Sequence, residues 1–148
     1  QEKPDLAREY LSYVKDQGNE TIQERYYQVS YELVKRYENE EEAYQQLDKW
    51  VREDKIKNSN MLNSIAWGVY EMEDADPSLV EMAANWAARS VELEPGYANM
   101  DTYAMLMYKS GNLKEAARLA QEAIDLAKES GEDYSETEKA LTKIQSEM

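Results

Sequence analysis

One ladder of small residues occurs twice in this chain, 33 residues apart, and it limits the fold more than any other feature. Ala83, Ala84, Ala87, Ser90, Val91 and Leu93 recur as Ala116, Ala117, Ala120, Ala123, Ile124 and Leu126. Steps of three and four put each set on one side of an α-helix. So many alanines on an inward face require close helix approach, because small side chains let two backbones sit near each other. The helices ahead of them match as well. Ala66 and Tyr70 recur as Ala104 and Tyr108 at a spacing of 38, and the 5 extra residues fall in the loop 71–77. A period in the low thirties built from helix–turn–helix units is the mark of a helical repeat. Ala83 and Ala116 should therefore be buried, with the two hairpins in contact.

Residues 98–130 form the clearest unit. Met100, Tyr103, Ala104, Met107 and Tyr108 share one side of its first helix. Gly111 suits the left-handed position past a helix end. Asn112 followed by Glu115 opens the next helix. Similar punctuation divides the rest. Pro4-Asp5 opens a first helix with the stripe Leu6, Tyr10, Tyr13 and Val14, ended by Gly18-Asn19. Thr21 with Glu24 opens a second, with Ile22, Tyr26, Val29, Leu33 and Tyr37 inward and Ser30 and Val34 alongside. Asn39 with Glu42 opens a third, whose inward set is Ala43, Leu47, Trp50 and Val51 and whose end falls near residues 55–57. Asn58 or Ser59 begins a fourth, carrying Leu62, Ile65, Ala66, Val69 and Tyr70. Ser78 with Glu81, behind Pro77, opens a fifth, which Glu94-Pro95-Gly96 breaks. Gly131 ends the seventh. Ser135 with Glu138 opens an eighth, with Tyr134, Thr137, Leu141 and Ile144 along its stripe. Alternation of period two is missing throughout. The expected fold is all-α, one domain of about eight helices in antiparallel hairpins. N-terminal helices occupy 1–57, two matched hairpins 58–130 and a capping helix 131–148. The first three helices read either as a degenerate repeat with a capping helix or as a small bundle.

Composition narrows the chemistry. Cysteine and histidine are both absent. That removes disulfides, thiol nucleophiles, the commonest general base and the commonest zinc ligand. The 5 glycines form no phosphate loop or dinucleotide pattern. Carboxylates are so abundant that no pair of them singles itself out. No catalytic residue, cofactor or metal is expected. Glu71, Glu73, Asp74 and Asp76 offer hard oxygen ligands but lack calcium-loop spacing and its turn glycine, so a solvated loop is the expected reading. The net charge, 17 − 31 = −14, argues against nucleic acid, whose binding rests on neutralising phosphate. No apolar run of about 18 residues is present to span a membrane. Residues 1–57 hold 10 basic and 14 acidic side chains, and residues 58–148 hold 7 and 17. A surface this acidic steers basic partners. The first residue is Gln1 rather than Met, as in a processed or excised chain, and a cleaved leader would suit it.

Over residues 60–130 the pattern resembles the tetratricopeptide repeat family. With Gly111 aligned at the turn, the family's small positions fall on Ala104, Ala116 and Ala123, and Pro95 takes its place near the end of the preceding repeat. The chain departs at Met100 and Ala120, where the family favours another large residue and an aromatic. The resemblance implies an α–α superhelix whose concave groove is lined by the first helix of each pair. Carried onto this chain, the groove positions are Asn60, Asn63, Trp67, Tyr70 and Glu71, then Ala98, Asp101, Met105, Tyr108 and Lys109. The candidate partner-binding residues are Asn60, Asn63, Trp67, Tyr70, Asp101, Met105, Tyr108 and Lys109. Aromatic and methionine side chains there would grip apolar side chains of a partner, while Asn63 and Asp101 would bond its backbone. A clamp for a peptide's terminal carboxylate is not implied, since Trp67 and Met105 stand where it needs asparagine. The implied function is a non-enzymatic interaction module for a protein or peptide, basic or apolar. On this reading Trp67→Ala weakens binding and spares stability.

The runs LNSIAWGVYE, ANWAARSVELEP and YANMDTYAMLMYKSGNLKEA are also similar to the helical tail that follows a thioredoxin-like domain in some bacterial secreted proteins. That likeness implies an accessory structural or self-association domain of a longer bacterial protein. It favours a periplasmic or secreted setting over the cytoplasm.

Overall fold

The computed structural model describes residues 2–15 and 19–148, and the side chains of Glu2, Lys3, Pro4, Leu6 and Ala7 are not described. Among the described residues the chain is all-α, with eight helices and no strand. They are α1 (Glu2–Lys15), α2 (Glu20–Tyr37), α3 (Glu40–Arg52), α4 (Ser59–Glu71), α5 (Pro77–Leu93), α6 (Tyr97–Lys109), α7 (Leu113–Ser130) and α8 (Ser135–Glu147). Length alone suggests one domain; the contacts divide the chain into two compact units, Gln1–Lys57 and Asn58–Met148.

Helix starts are set by asparagine and aspartate, whose short side chains reach the free N–H groups of a first turn. Asn39 accepts from the Glu42 N–H at 2.6 Å, Asn58 from Met61 at 2.9 Å and Asn112 from Glu115 at 3.3 Å. Three expected starts move upstream for the same reason. Asn19, not Thr21, caps α2 through the Ile22 N–H at 3.2 Å. Asp76, not Ser78, caps α5 and takes both the N–H and the hydroxyl of Ser78, at 2.8 and 2.6 Å. Asp133 takes the Ser135 N–H at 2.9 Å, so Ser135 is the first residue of α8 rather than its cap. Gly111 and Gly131 end their helices in the left-handed region, at φ 85° and 76°, where a Cβ would be strained. The expected Gly18 terminator lies outside the described residues. Helix α3 stops at Arg52, before the expected 55–57, and Asp54 turns the chain at φ 58°.

In the first unit α2 lies against both α1 and α3. Its core is Leu11, Tyr31, Ala43, Tyr44 and Leu47. The inward face of α2 matches the expected one in part: Tyr26, Val29, Leu33 and Val34 are half-buried. Tyr31 is buried, Tyr27 packs edge-on against Trp50 with ring centres 5.1 Å apart, and Ile22 and Tyr37 are exposed. A helix clasped on two sides buries a broad face, and here Tyr27 and Tyr31 join Val29, Leu33 and Val34 in it. In α1 Leu11 is buried while Tyr10 and Tyr13 are 68% and 67% exposed, against expectation. Leu6, the first member of that expected stripe, lies outside the described side chains.

The second unit is built from the small-residue ladders. Helix α4 pairs with α5 and α6 with α7; α6 also lies against α4 and α5, and α8 packs on α7. Ala66, Ala83, Ala87, Ala104, Ala116, Ala120 and Ala123 are all fully buried. Trp86, one of the largest fully buried side chains, fills the interior between these close-set backbones. Leu141 and Ile144 of α8 complete the core around Met100, Ala104, Met105 and Ile124. A methylene added at these alanines would cost about 1–3 kcal/mol in overpacking.

Candidate interaction surfaces

The expected groove positions of α4 and α6 divide into two groups. On α4, Asn60 is exposed and Trp67 and Tyr70 are half-buried. Trp67 and Tyr70 lean together, with ring centres 4.9 Å apart at 39°, and both rest on the core. The side-chain oxygen of Asn63 is shielded from solvent and has no hydrogen-bond partner among the described residues. A cleft of about 180 Å³ lies at this end of the face, lined by Ser59, Asn60, Asn63, Glu94, Ala98 and Asn99 among others.

On α6 the inner positions are engaged by α8. Met105 is buried at 5% exposure. Asp101 accepts a hydrogen bond from the Thr137 hydroxyl at 2.7 Å. The Thr137 proton is thus committed, so the Tyr97 hydroxyl, 2.8 Å away, donates to Thr137. Tyr108 donates to Glu147 at 3.0 Å, and the Lys143 ammonium stands 5.6 Å from the centre of its ring. Burial raises the pKa of Asp101, opposed by the Thr137 hydrogen bond. Burial also raises that of Tyr70, helped by the neighbouring Asp101 and Tyr108. Lys109 turns back to α4, donating to the Tyr70 carbonyl at 2.7 Å and to the Met72 carbonyl. A cation there answers the unpaired carbonyls and negative pole of a helix C-terminus.

Two features were not foreseen from the sequence. The first is a buried polar knot that joins α4, α5 and α6. Ser59 donates to the Ser90 carbonyl at 3.1 Å and Ser90 to the Ser59 carbonyl at 2.8 Å. The Asn99 amide donates to the Ser90 hydroxyl at 3.0 Å and the Glu94 carbonyl at 2.8 Å, and it reaches the Ser59 hydroxyl at 3.3 Å. Its oxygen takes the Gly96 N–H at 2.9 Å. The available signal was Ser90, a polar rung where the matching ladder has Ala123, because a buried hydroxyl demands partners. The second is a groove of about 730 Å³ between α5 and α6, lined by Val80, Glu81, Ala84, Tyr103 and Met107 with flanking loop residues. Tyr103 and Met107 pack against the core beside Met100 and Ala104, as their shared side of α6 requires, and keep part of their surface at this groove.

No three acidic side chains among the described residues come together as a metal site, those of the loop 71–76 included. No described helix is long and apolar enough to cross a membrane. Comparisons with protein-family models, curated proteins and solved structures find no match to this chain.

Proposed function

We propose that the chain is a non-enzymatic, tetratricopeptide-like interaction module that holds a segment of another protein. The observation that carries this reading is the α4 inner face. There an unpartnered, shielded carbonyl oxygen of Asn63 lies on the same face as the partly buried Trp67 and Tyr70 and the exposed Asn60. A lone buried acceptor favours an incoming N–H, and a peptide backbone supplies one in every residue. Aromatic side chains alongside offer apolar contact area at little entropic cost. Asp101, Met105 and Tyr108 support the site from beneath α8, and Lys109 fixes the end of α4.

The test is selection of binding peptides by display, followed by titration against variants. Asn63→Leu should weaken the selected peptides about tenfold, the value of one lost hydrogen bond of about 1.4 kcal/mol. Asn60→Lys should alter their sequence preference. Unchanged affinities in both variants, with helical circular dichroism intact, would defeat the proposal. A second reading, a self-association or accessory domain, is favoured by the exposed Tyr10, Tyr13 and Tyr37 of the first unit. Sedimentation of wild type against Tyr10→Lys with Tyr13→Lys tests it: a dimer lost in the variant supports it, and a monomer in both rejects self-association.

A further inference from the structure

The groove between α5 and α6 uses a different set of side chains from the α4 inner face. Its apolar lining is Val80 and Ala84 from α5, Tyr103 and Met107 from α6, and Ala75 and Pro77 at one end, beside the polar Asn85, Ser110 and Asn112. About 730 Å³ lies within the range of sites that enclose a ligand or several side chains. Its exposed rim is mainly acidic. Glu81 lines it, and Glu73 and Asp74 are exposed in the loop that leads into it. None of these three has an ion-pair partner among the described residues. Residues 71–85 contain no lysine or arginine at all. The one cation in the lining, Lys109, is spent on the Tyr70 and Met72 carbonyls. Arg118, on α7, is held by Glu115 at 2.5 Å and by Glu122.

We propose that this groove docks a basic amphipathic segment of another protein. One or two large apolar side chains enter between Val80, Ala84, Tyr103 and Met107, and flanking lysines or arginines meet Glu73, Asp74 and Glu81. An anionic segment or anionic membrane surface is repelled by the same rim. Asp76 takes no direct part, because its carboxylate is committed to the first turn of α5. Methionine suits such a wall, since its flexible thioether adapts to apolar side chains of different shape.

The proposal makes the α5/α6 groove a second surface, and it stands or falls independently of Asn63. The probe is a leucine–lysine amphipathic peptide roughly four helical turns long, with a leucine–glutamate peptide of the same pattern beside it. The whole chain is labelled at its methionine methyl groups and titrated by nuclear magnetic resonance. The lysine peptide should shift the Met107 methyl saturably, and the glutamate peptide should not. Glu73→Lys with Glu81→Lys should weaken binding about tenfold. Glu129→Lys with Glu138→Lys, which changes net charge equally at exposed positions elsewhere, should weaken it less than about threefold. Asn63→Leu should leave it unchanged. Equal losses in the two charge-reversed pairs, a Met107 methyl that does not move on binding, or equal binding of the glutamate peptide would each overturn the proposal.

Discussion

Asn99→Ala is the sharpest test of what locks the second unit together. Asn99 is 6% exposed and Ser90 fully buried. Truncation removes the donors to Ser59, Ser90 and the Glu94 carbonyl, and the acceptor for the Gly96 N–H. The two serines keep their reciprocal bonds to each other's carbonyls. Two backbone groups lose their partners, the Glu94 carbonyl and the Gly96 N–H. Each costs about 1–3 kcal/mol, toward the lower end here because both lie near the surface. Lost packing of the amide adds about 1 kcal/mol. A total of about 3 kcal/mol should lower the melting temperature by roughly 10–20 °C for a unit of this size. Urea unfolding followed by tryptophan fluorescence reads it well, because Trp86 is buried in α5 close in sequence to Ser90. Asn112→Ala, which removes one exposed cap, is the reference and should cost about 1 kcal/mol. If Asn99→Ala costs no more than Asn112→Ala, the knot contributes nothing beyond an ordinary cap and the reasoning fails.

Trp67→Ala should destabilise the second unit by about 2–3 kcal/mol in urea, because half of the indole rests on the core; this replaces the expectation that it spares stability. Lys109→Met should cost about 1 kcal/mol and speed amide exchange in the last turn of α4, where its ammonium holds two carbonyls. Asp101 has a folded pKa raised above its unfolded value, first by burial. Its contribution therefore favours folding below the unfolded pKa and is lost as pH rises through the folded one. Asp101→Asn keeps an acceptor for Thr137, so its urea midpoint should gain on wild type between about pH 4 and pH 7. A gain in the opposite direction would contradict the raised pKa.

The second unit was far more legible in the sequence than the first. Alanine at close-packed positions is a local signal with one strong meaning, and Ala83, Ala87, Ala116 and Ala120 are buried as their spacing requires. Asn39, Asn58, Asn112 and Gly131 also act through neighbours a few residues away, so a linear reading finds them. Thr21, Ser78 and Ser135 misled because Asn19, Asp76 and Asp133 stand two residues ahead and start the turn earlier, taking the N–H groups of Ile22, Ser78 and Ser135. In α2 the aromatic and aliphatic residues encircle the helix, and periodicity alone did not choose Tyr31 over Ile22. The interaction surfaces depend on contacts far apart in the chain. Thr137 meets Asp101 across 36 residues, and Ser59 meets Ser90 across 31. No local pattern announces such meetings.

The Ser59–Ser90–Asn99 knot sets a rule for rearranging this protein. Its members sit on three helices, and α6 opens a different hairpin from the one that α4 and α5 form. A cassette excised after α5 and spliced onto foreign repeats would leave both serine hydroxyls without the amide that bridges them. The graft site would need its own asparagine at the matching place, or alanine at both serines. Shuffled at the hairpin border, these modules are not interchangeable blocks; they travel as an interlocked pair.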